Sequence, residues 1–427
     1  MLPCGFESKP LHSVANRRRG NLFNSEEIMN IQDAVNKYVL SRSDCIPLVA
    51  SENAMSPAVK RLCSSEIGER YCVGSEAPWK YPREELLESI VRMVRQLACD
   101  IFEGKSCTVA PLSGSQCVAA ITLGICEPGD LVIGLSSDDG GHWALRGMAQ
   151  KLHCHFEPLP LGDDFSVNTE KLSRLLKRKR PKLVMVDPSH SVQVIAPENI
   201  RACLPMDIPL FYDLSHFMGI CPHQYLNAPF SRGVTAIHGS THKSLFGPQK
   251  GLIVFGQQAD DDLITEITIA SEKLLSSNCH LHHIAALGVA LEEYRAFGEM
   301  YSSAVVRHAR VFAETLKQQG LELICAQDSY TQSHQVLLKL SQDAESIWKR
   351  LTKCGILANL IRLPRQHSPG LRFGLAEVTR RGYTGPEIAT LGSTVARLIK
   401  NEADLHPLEI DVRELAKRSR MMKFCFD

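Results

Sequence analysis

His238-Gly239-Ser240-Thr241-His242-Lys243-Ser244 lies between the apolar run of residues 234–237 and the turn Gly247-Pro248-Gln249-Lys250-Gly251, which leads into a second apolar run, residues 252–255. The pattern predicts two short buried strands joined by a polar loop, with Lys243 at a strand end where its amine can attack a carbonyl. Upstream, Leu210-Phe211-Tyr212-Asp213-Leu214-Ser215-His216 reads as another buried strand, ending on a carboxylate. An Asp and a Lys so placed are what pyridoxal phosphate requires. A carboxylate beside the ring nitrogen favours its protonated form, and the lysine carries the aldehyde as an imine.

Working outward, residues 131–134, 156–161 and 183–186 are further short apolar runs, separated by helical patterns such as 168–177. Runs buried on both faces and alternating with helices predict an α/β fold with a mixed, mostly parallel sheet, in which ligands sit at the carboxyl ends of strands. Asp213, Ser189 and the turn Ser113-Gly114-Ser115 all fall at such ends. In the last case a strand over 108–112 gives way to small residues and then to a helix over 117–123, so that free amides and the helix dipole face an anion. Residues 82–102 predict a long amphipathic helix, with Leu86, Ile90, Val91, Val94 and Leu97 on its buried side. A helix over 281–297 bridges to a second, α+β unit, predicted by helices over 304–319, 348–354 and 385–401 with strands over 321–326 and 335–340. Asn24 and Glu27 suit a capping box ahead of Ile28, Ile31, Val35 and Val39. The expected organisation is an arm and helix over 1–45, a large coenzyme-binding domain over 46–300 and a small domain over 301–427.

Composition narrows the function. The 427 residues carry 48 Lys plus Arg against 47 Asp plus Glu, which leaves no overall field to attract nucleic acid or an anionic membrane. No apolar run reaches the roughly twenty residues that span a bilayer, and Met1 to Phe6 lack the core of a signal peptide. The 15 cysteines have no zinc-type spacing, as free thiols in a reducing compartment would. A cytoplasmic enzyme of small molecules is expected. His280, His282 and His283 are read as lining the site or a subunit contact, and no metal is expected.

Ala50-Ser51-Glu52-Asn53, Ser113-Gly114-Ser115-Gln116, Gly140-Gly141-His142, Asp213-Leu214-Ser215-His216, Thr241-His242-Lys243, Leu371-Arg372-Phe373-Gly374 and Thr379-Arg380-Arg381-Gly382 occur in this order. In them the chain resembles serine hydroxymethyltransferase, a fold-type I pyridoxal-phosphate enzyme with the aspartate-aminotransferase-like architecture. The resemblance implies that Lys243 forms the internal imine, Asp213 pairs with the ring nitrogen and His142 stacks on the ring. It implies that Ser113, Gly114 and Ser115 hold the phosphate, that Ser189 and His216 lie near the phenolic oxygen, and that His242 adjoins the coenzyme. Arg372 is the implied partner of the amino-acid carboxylate, with Ser51, Tyr71, Tyr81 and His216 also at the substrate and Tyr71 among the catalytic groups. Family sites are built across a dimer, so a homodimer or a dimer of dimers is implied.

Departures from the family pattern point to a branch. The position of a proton-transferring glutamate downstream of Tyr71 is Val73, Ser277-Asn278-Cys279-His280 replaces a Gly-Gly-Pro segment, and the folate loop is shortened to Arg362-Leu363-Pro364-Arg365-Gln366-His367. These features resemble the L-threonine transaldolases of specialised metabolism. That likeness implies retro-aldol cleavage of L-threonine to acetaldehyde and a glycyl carbanion, then addition to a second aldehyde to give a β-hydroxy-α-amino acid without folate. His142, Tyr71 and a bound water are the candidate bases for the threonine hydroxyl. The alternatives are a tetrahydrofolate-dependent enzyme acting on serine or glycine, and a catalytically silent structural or regulatory relative.

Overall fold

The computed structural model describes residues 30–72, 81–327, 329–340, 343–366, 368–401, 405–418 and 421–426. Val73, His367 and the expected cap at Asn24 and Glu27 lie outside them. Contacts divide the chain into two units, Met1–Cys45 and Ile46–Asp427. In the first, the helix Ile31–Ser41 begins at Asn30, whose side chain accepts from the Asp33 amide, and Ile31, Val35, Tyr38 and Val39 are exposed.

The second unit is built on strands β1 (Ile46–Pro47), β2 (Ser106–Thr108), β3 (Leu131–Gly134), β4 (His155–Pro158), β5 (Leu183–Val186), β6 (Leu210–Asp213), β7 (Ala236–Ser240), β8 (Gly251–Phe255), β9 (Leu323–Ile324), β10 (Gln335–Lys339), β11 (Ile356–Leu357), β12 (Asn359–Arg362) and β13 (Pro369–Gly374). Seven of them form one sheet in the order β2-β8-β7-β6-β5-β3-β4. Only β8 runs against the others, because it pairs antiparallel with both β2 and β7 while β7, β6, β5, β3 and β4 pair in parallel. The α/β class and the mostly parallel sheet follow the sequence pattern.

Alternation along each strand assigns its residues to opposite faces. Ile133, Val184, Val186, Tyr212, Ile237 and Val254 pack with Val94 and Leu97 from the helix Glu84–Phe102 and with Ile284 and Leu287. Val132, Met185, Phe211, Ala236 and Ile253 pack with Cys117, Val118 and Ile121 from the helix Gly114–Ile125. Helices on both faces bury the inner strands β3, β5, β6, β7 and β8 and leave their ends as the place for polar chemistry.

A four-stranded antiparallel sheet, β12-β13-β10-β9, forms a separate core with Phe312, Ile347, Leu391 and Val395. The helices expected over 281–297 and 304–319 are one, Leu281–Gln318, 38 residues long and continuous through residue 300. Gly298, the apparent break, packs so closely that a Cβ there would lie 2.9 Å from the Tyr294 ring. The strand expected over 108–112 ends at Thr108 and the one over 156–161 at Pro158, where the chain turns toward the polar ends.

Candidate active site

Asp213 closes β6, and Lys243 follows the neighbouring β7 on a loop that returns through β8. Asp213 is 6% exposed, and one of its oxygens accepts the Ser215 amide at 2.7 Å. Burial pushes the Lys243 amine down to about 8, against the opposing pull of Asp213. Among the described residues that amine has no hydrogen-bond partner. A desolvated amine whose pKa is lowered, beside a fixed carboxylate, is an activated nucleophile.

Ser113 caps the helix Gly114–Ile125, its hydroxyl accepting the Gln116 amide at 3.1 Å. A Cβ on Gly114 would lie 2.4 Å from the Ser215 hydroxyl and 2.6 Å from the Ser240 hydroxyl, so only glycine fits there. The Gly114 amide donates to Ser240 at 3.3 Å, and the Ser240 amide donates to Ser215 at 3.0 Å. Ser115 follows in the first turn. This cradle of hydroxyls and helix amides has the donor set for a phosphate. Ser215 and Ser240 were not singled out from the sequence, since a serine beside a strand end is ordinary until the fold joins two of them.

His142 caps the helix Trp143–Lys151, and its Nδ1 accepts the Ala144 amide at 3.2 Å. Burial lowers its pKa, so the ring is neutral and its one proton sits on Nε2. His216 is 3% exposed, lies nearly parallel to His334 at 5.8 Å, and leaves a buried Nδ1 without a partner among the described residues. Burial first, then the charges of Lys243 and Arg372, hold His216 neutral. His242 is pushed down to about 4 by burial and by Lys243. Ser189 is buried after β5, with its carbonyl accepting from Gln335 at 3.1 Å and from Arg372 at 3.3 Å.

Arg372, on β13, is 6% exposed. Its Nε and one terminal nitrogen donate to the Asn359 carbonyl oxygen at 3.2 and 3.0 Å, across the register Asn359↔Arg372 of β12 and β13. Among the described residues no carboxylate pairs with it. A buried guanidinium held only by neutral acceptors is suited to a carboxylate brought by a ligand. Asn359 also accepts the Ala50 amide at 3.3 Å, which links Ser51 and its neighbours to Arg372.

The rings of Tyr71 and Tyr81 meet at 5.2 Å, the Tyr71 hydroxyl binds Ser277, and among the described residues neither hydrogen-bonds to Lys243, Asp213 or Arg372. Lys250, fully buried and pushed down to about 8, donates to the carbonyls of Ala110 at 3.0 Å and Cys279 at 2.8 Å. It ties the Ser277–His280 stretch to the segment leading into the phosphate cradle. Sequence reading passed over it because a lysine beside Gly251 looks like a turn residue. The rings of His280, His282 and His283 cluster at 4.2–6.0 Å, and burial first, then the neighbouring rings and Lys250, lower the pKa of His280 and His283.

A phosphate cradle, an isolated lysine, a carboxylate at the next strand end and an unpaired buried arginine define a pyridoxal-phosphate enzyme of fold type I acting on amino acids. The serine hydroxymethyltransferase family model matches residues 25–395, and the chain belongs to that family. It is 30% identical to the serine hydroxymethyltransferase of Methanopyrus kandleri over 95% of this chain and 96% of that one. With that of Korarchaeum cryptofilum it shares 29% over 90% and 93%. The crystal structure of L-threonine transaldolase from Pseudomonas fluorescens, in its internal aldimine state, superposes with a TM-score of 0.88 at 27% identity, covering 93% of each chain. The chain is therefore a pyridoxal-phosphate-dependent enzyme, which sets aside the silent relative. Among the described residues no helix is long and apolar enough to cross a membrane.

Proposed function

We propose that this enzyme is an L-threonine transaldolase that works without folate and transfers the glycyl unit of threonine to a second aldehyde. The observation that carries the reading is the state of the shortened loop. The Arg365 amide donates to the Asp138 carbonyl at 2.7 Å, its guanidinium binds Asp139 at 2.6 Å and the Gly162 carbonyl at 2.5 Å, and it stacks on Phe165 at 4.3 Å. An arginine whose polar groups are satisfied by its own chain offers few donors to a pterin. The likeness to a solved threonine transaldolase supports the same reading.

When bound, pyridoxal phosphate supplies an aldehyde for Lys243 and then for the amino acid, and takes up the electron pair released at Cα. The protein's share is to place and charge the reactants. The forked guanidinium of Arg372 takes the amino-acid carboxylate, and Asp213 holds the proton on the ring nitrogen. Ser113, Gly114 and Ser115 would anchor the phosphate, with Ser189, His216 and His242 near the ring and Ser51 near the substrate. His142, which would stack on the ring, carries its proton on Nε2 and would act as a donor. The threonine hydroxyl proton is left to His216 Nδ1, a water or Tyr71. Acetaldehyde leaves as the Cα–Cβ bond breaks, and the carbanion attacks the second aldehyde. We further propose a cytoplasmic homodimer in which Tyr71 and Tyr81 of one protomer approach the Lys243 of the other, as the resemblance to enzymes whose sites are built across a dimer implies. The relatives named serine hydroxymethyltransferase favour the second reading, serine and glycine exchange on tetrahydrofolate.

Purified enzyme supplied with L-threonine and an aldehyde is expected to release acetaldehyde at the same rate with and without tetrahydrofolate. Turnover of serine that appears only on adding tetrahydrofolate, with threonine untouched, selects the second reading.

A further inference from the structure

A coenzyme lysine has to leave the coenzyme when the substrate binds and return to it when the product goes. Its amine cannot be held by fixed partners throughout, so precision has to come from the backbone that carries it. The structure holds that backbone from two sides.

The Asn53 amide nitrogen donates to the Lys243 carbonyl at 2.8 Å, approaches the Ser244 carbonyl at 3.2 Å and donates to the Tyr301 hydroxyl at 3.0 Å. Its oxygen accepts the Ala54 amide at 2.9 Å, which fixes which way the side chain faces. The Tyr301 hydroxyl in turn donates to the Ser244 carbonyl at 2.7 Å. Gly219 closes the other side, since a Cβ there would lie 2.2 Å from the Ser244 carbonyl oxygen. Tyr301 is fully buried, and burial raises its pKa so that the hydroxyl keeps its proton and stays a donor.

Tyr301 is itself braced. The Phe246 ring meets it edge-on at 5.0 Å and the Phe424 ring at 5.5 Å. Phe424 belongs to the last stretch of the chain, which Arg380 grips. The Lys423 amide donates to the Arg380 carbonyl at 2.8 Å, while the Arg380 guanidinium donates to the Lys423 carbonyl at 3.0 Å and to that of Phe424. A motif arginine far along the chain thus connects, through Phe424 and Tyr301, to the peptide of Lys243 and Ser244.

We propose that Asn53 and Tyr301 are positioning residues for the coenzyme lysine, and that the C-terminal stretch around Phe424 holds Tyr301 in register. This rests on the assignment of Lys243. Tyr301→Phe removes the hydroxyl and keeps the ring. Tyr294→Phe is the control, because Tyr294 is equally buried on the same helix and donates to the Cys221 carbonyl at 2.7 Å, away from the Lys243 loop. The readouts are the pH titration of the bound-coenzyme absorbance, the rate at which apoenzyme takes up pyridoxal phosphate, the thermal midpoint, and the peptide on which borohydride fixes the coenzyme.

Tyr301→Phe is expected to displace the titration midpoint by at least about half a unit and to slow coenzyme uptake about fivefold, the scale of one lost buried hydrogen bond. Tyr294→Phe is expected to lower the thermal midpoint and leave the titration in place. Phe424→Ala, which leaves the hydrogen-bonding groups intact, is expected to move the titration in the same direction by less, and it decides the matter if Tyr301→Phe does not fold. Wild-type titration and uptake in both Tyr301→Phe and Phe424→Ala overturn the proposal. Fixation on a peptide lacking Lys243 removes the underlying assignment instead, and the proposal with it.

Discussion

Arg372 and Arg380 are eight positions apart in sequence and both are buried, yet they are satisfied in opposite ways. Arg380 has a carboxylate of its own, Glu293 at 2.6 Å, lies over the Phe246 ring at 3.6 Å and donates to two main-chain carbonyls. Among the described residues Arg372 is held only by the Asn359 side chain and the Ser189 carbonyl. An arginine with a full set of partners inside the chain is an element of structure. One given neutral acceptors that orient it without cancelling its charge is prepared for an anion from outside.

The largest expected effect tests the structural arginine. Arg380→Met strands Glu293 in the core, and the enzyme is expected to lose about 3–5 kcal/mol of stability, measured by denaturant unfolding. Any folded fraction keeps Arg372 for the carboxylate, so its KM for threonine is expected to rise far less than in Arg372→Lys, even with the brace at Phe424 loosened. Arg372→Lys reverses the pattern, because a point-charge ammonium lacks the fork that grips a carboxylate. The KM for threonine is expected to rise about 30-fold with little change in unfolding. An unchanged KM assigns the carboxylate to another residue. Asn359→Asp gives Arg372 the internal carboxylate that Arg380 already has, and competition with the substrate is expected to weaken threonine binding about tenfold.

The smallest effect comes from the two buried lysines, both lowered by burial to about 8. Between about 8 and the unfolded value near 10.4, the unfolded chain binds a proton that the folded chain does not. Apoenzyme stability is therefore expected to rise with pH across that window, with the penalty fully present below about 8. Lys243→Met and Lys250→Met are each expected to flatten part of the slope in pH-dependent unfolding. Only Lys243→Met is expected to abolish coenzyme fixation, since Lys250 is bonded to two carbonyls.

Legibility in the sequence followed chain locality. Asp213, Lys243, Ser113 and Ser189 could be read because each ends a short apolar run, and parallel strands send such ends to one edge of the sheet. Val73, on which the transaldolase reading first leaned, lies outside the described residues, and the Arg365 contacts carry that argument instead. Asn359, Asn53, Tyr301 and Lys250 act through partners as far as 309 positions away, so no local pattern marks them. Periodicity also missed the unity of the helix Leu281–Gln318, because Gly298 looks like punctuation until its contact with Tyr294 is seen.

The most direct test follows one carbon atom. L-threonine labelled with ¹³C at Cα is incubated with the enzyme, pyridoxal phosphate and benzaldehyde in the absence of tetrahydrofolate, and the products are read by NMR. The account predicts the label at Cα of β-phenylserine, with acetaldehyde released in equal amount. Label confined to unreacted threonine or to free glycine, with benzaldehyde unconsumed, contradicts it.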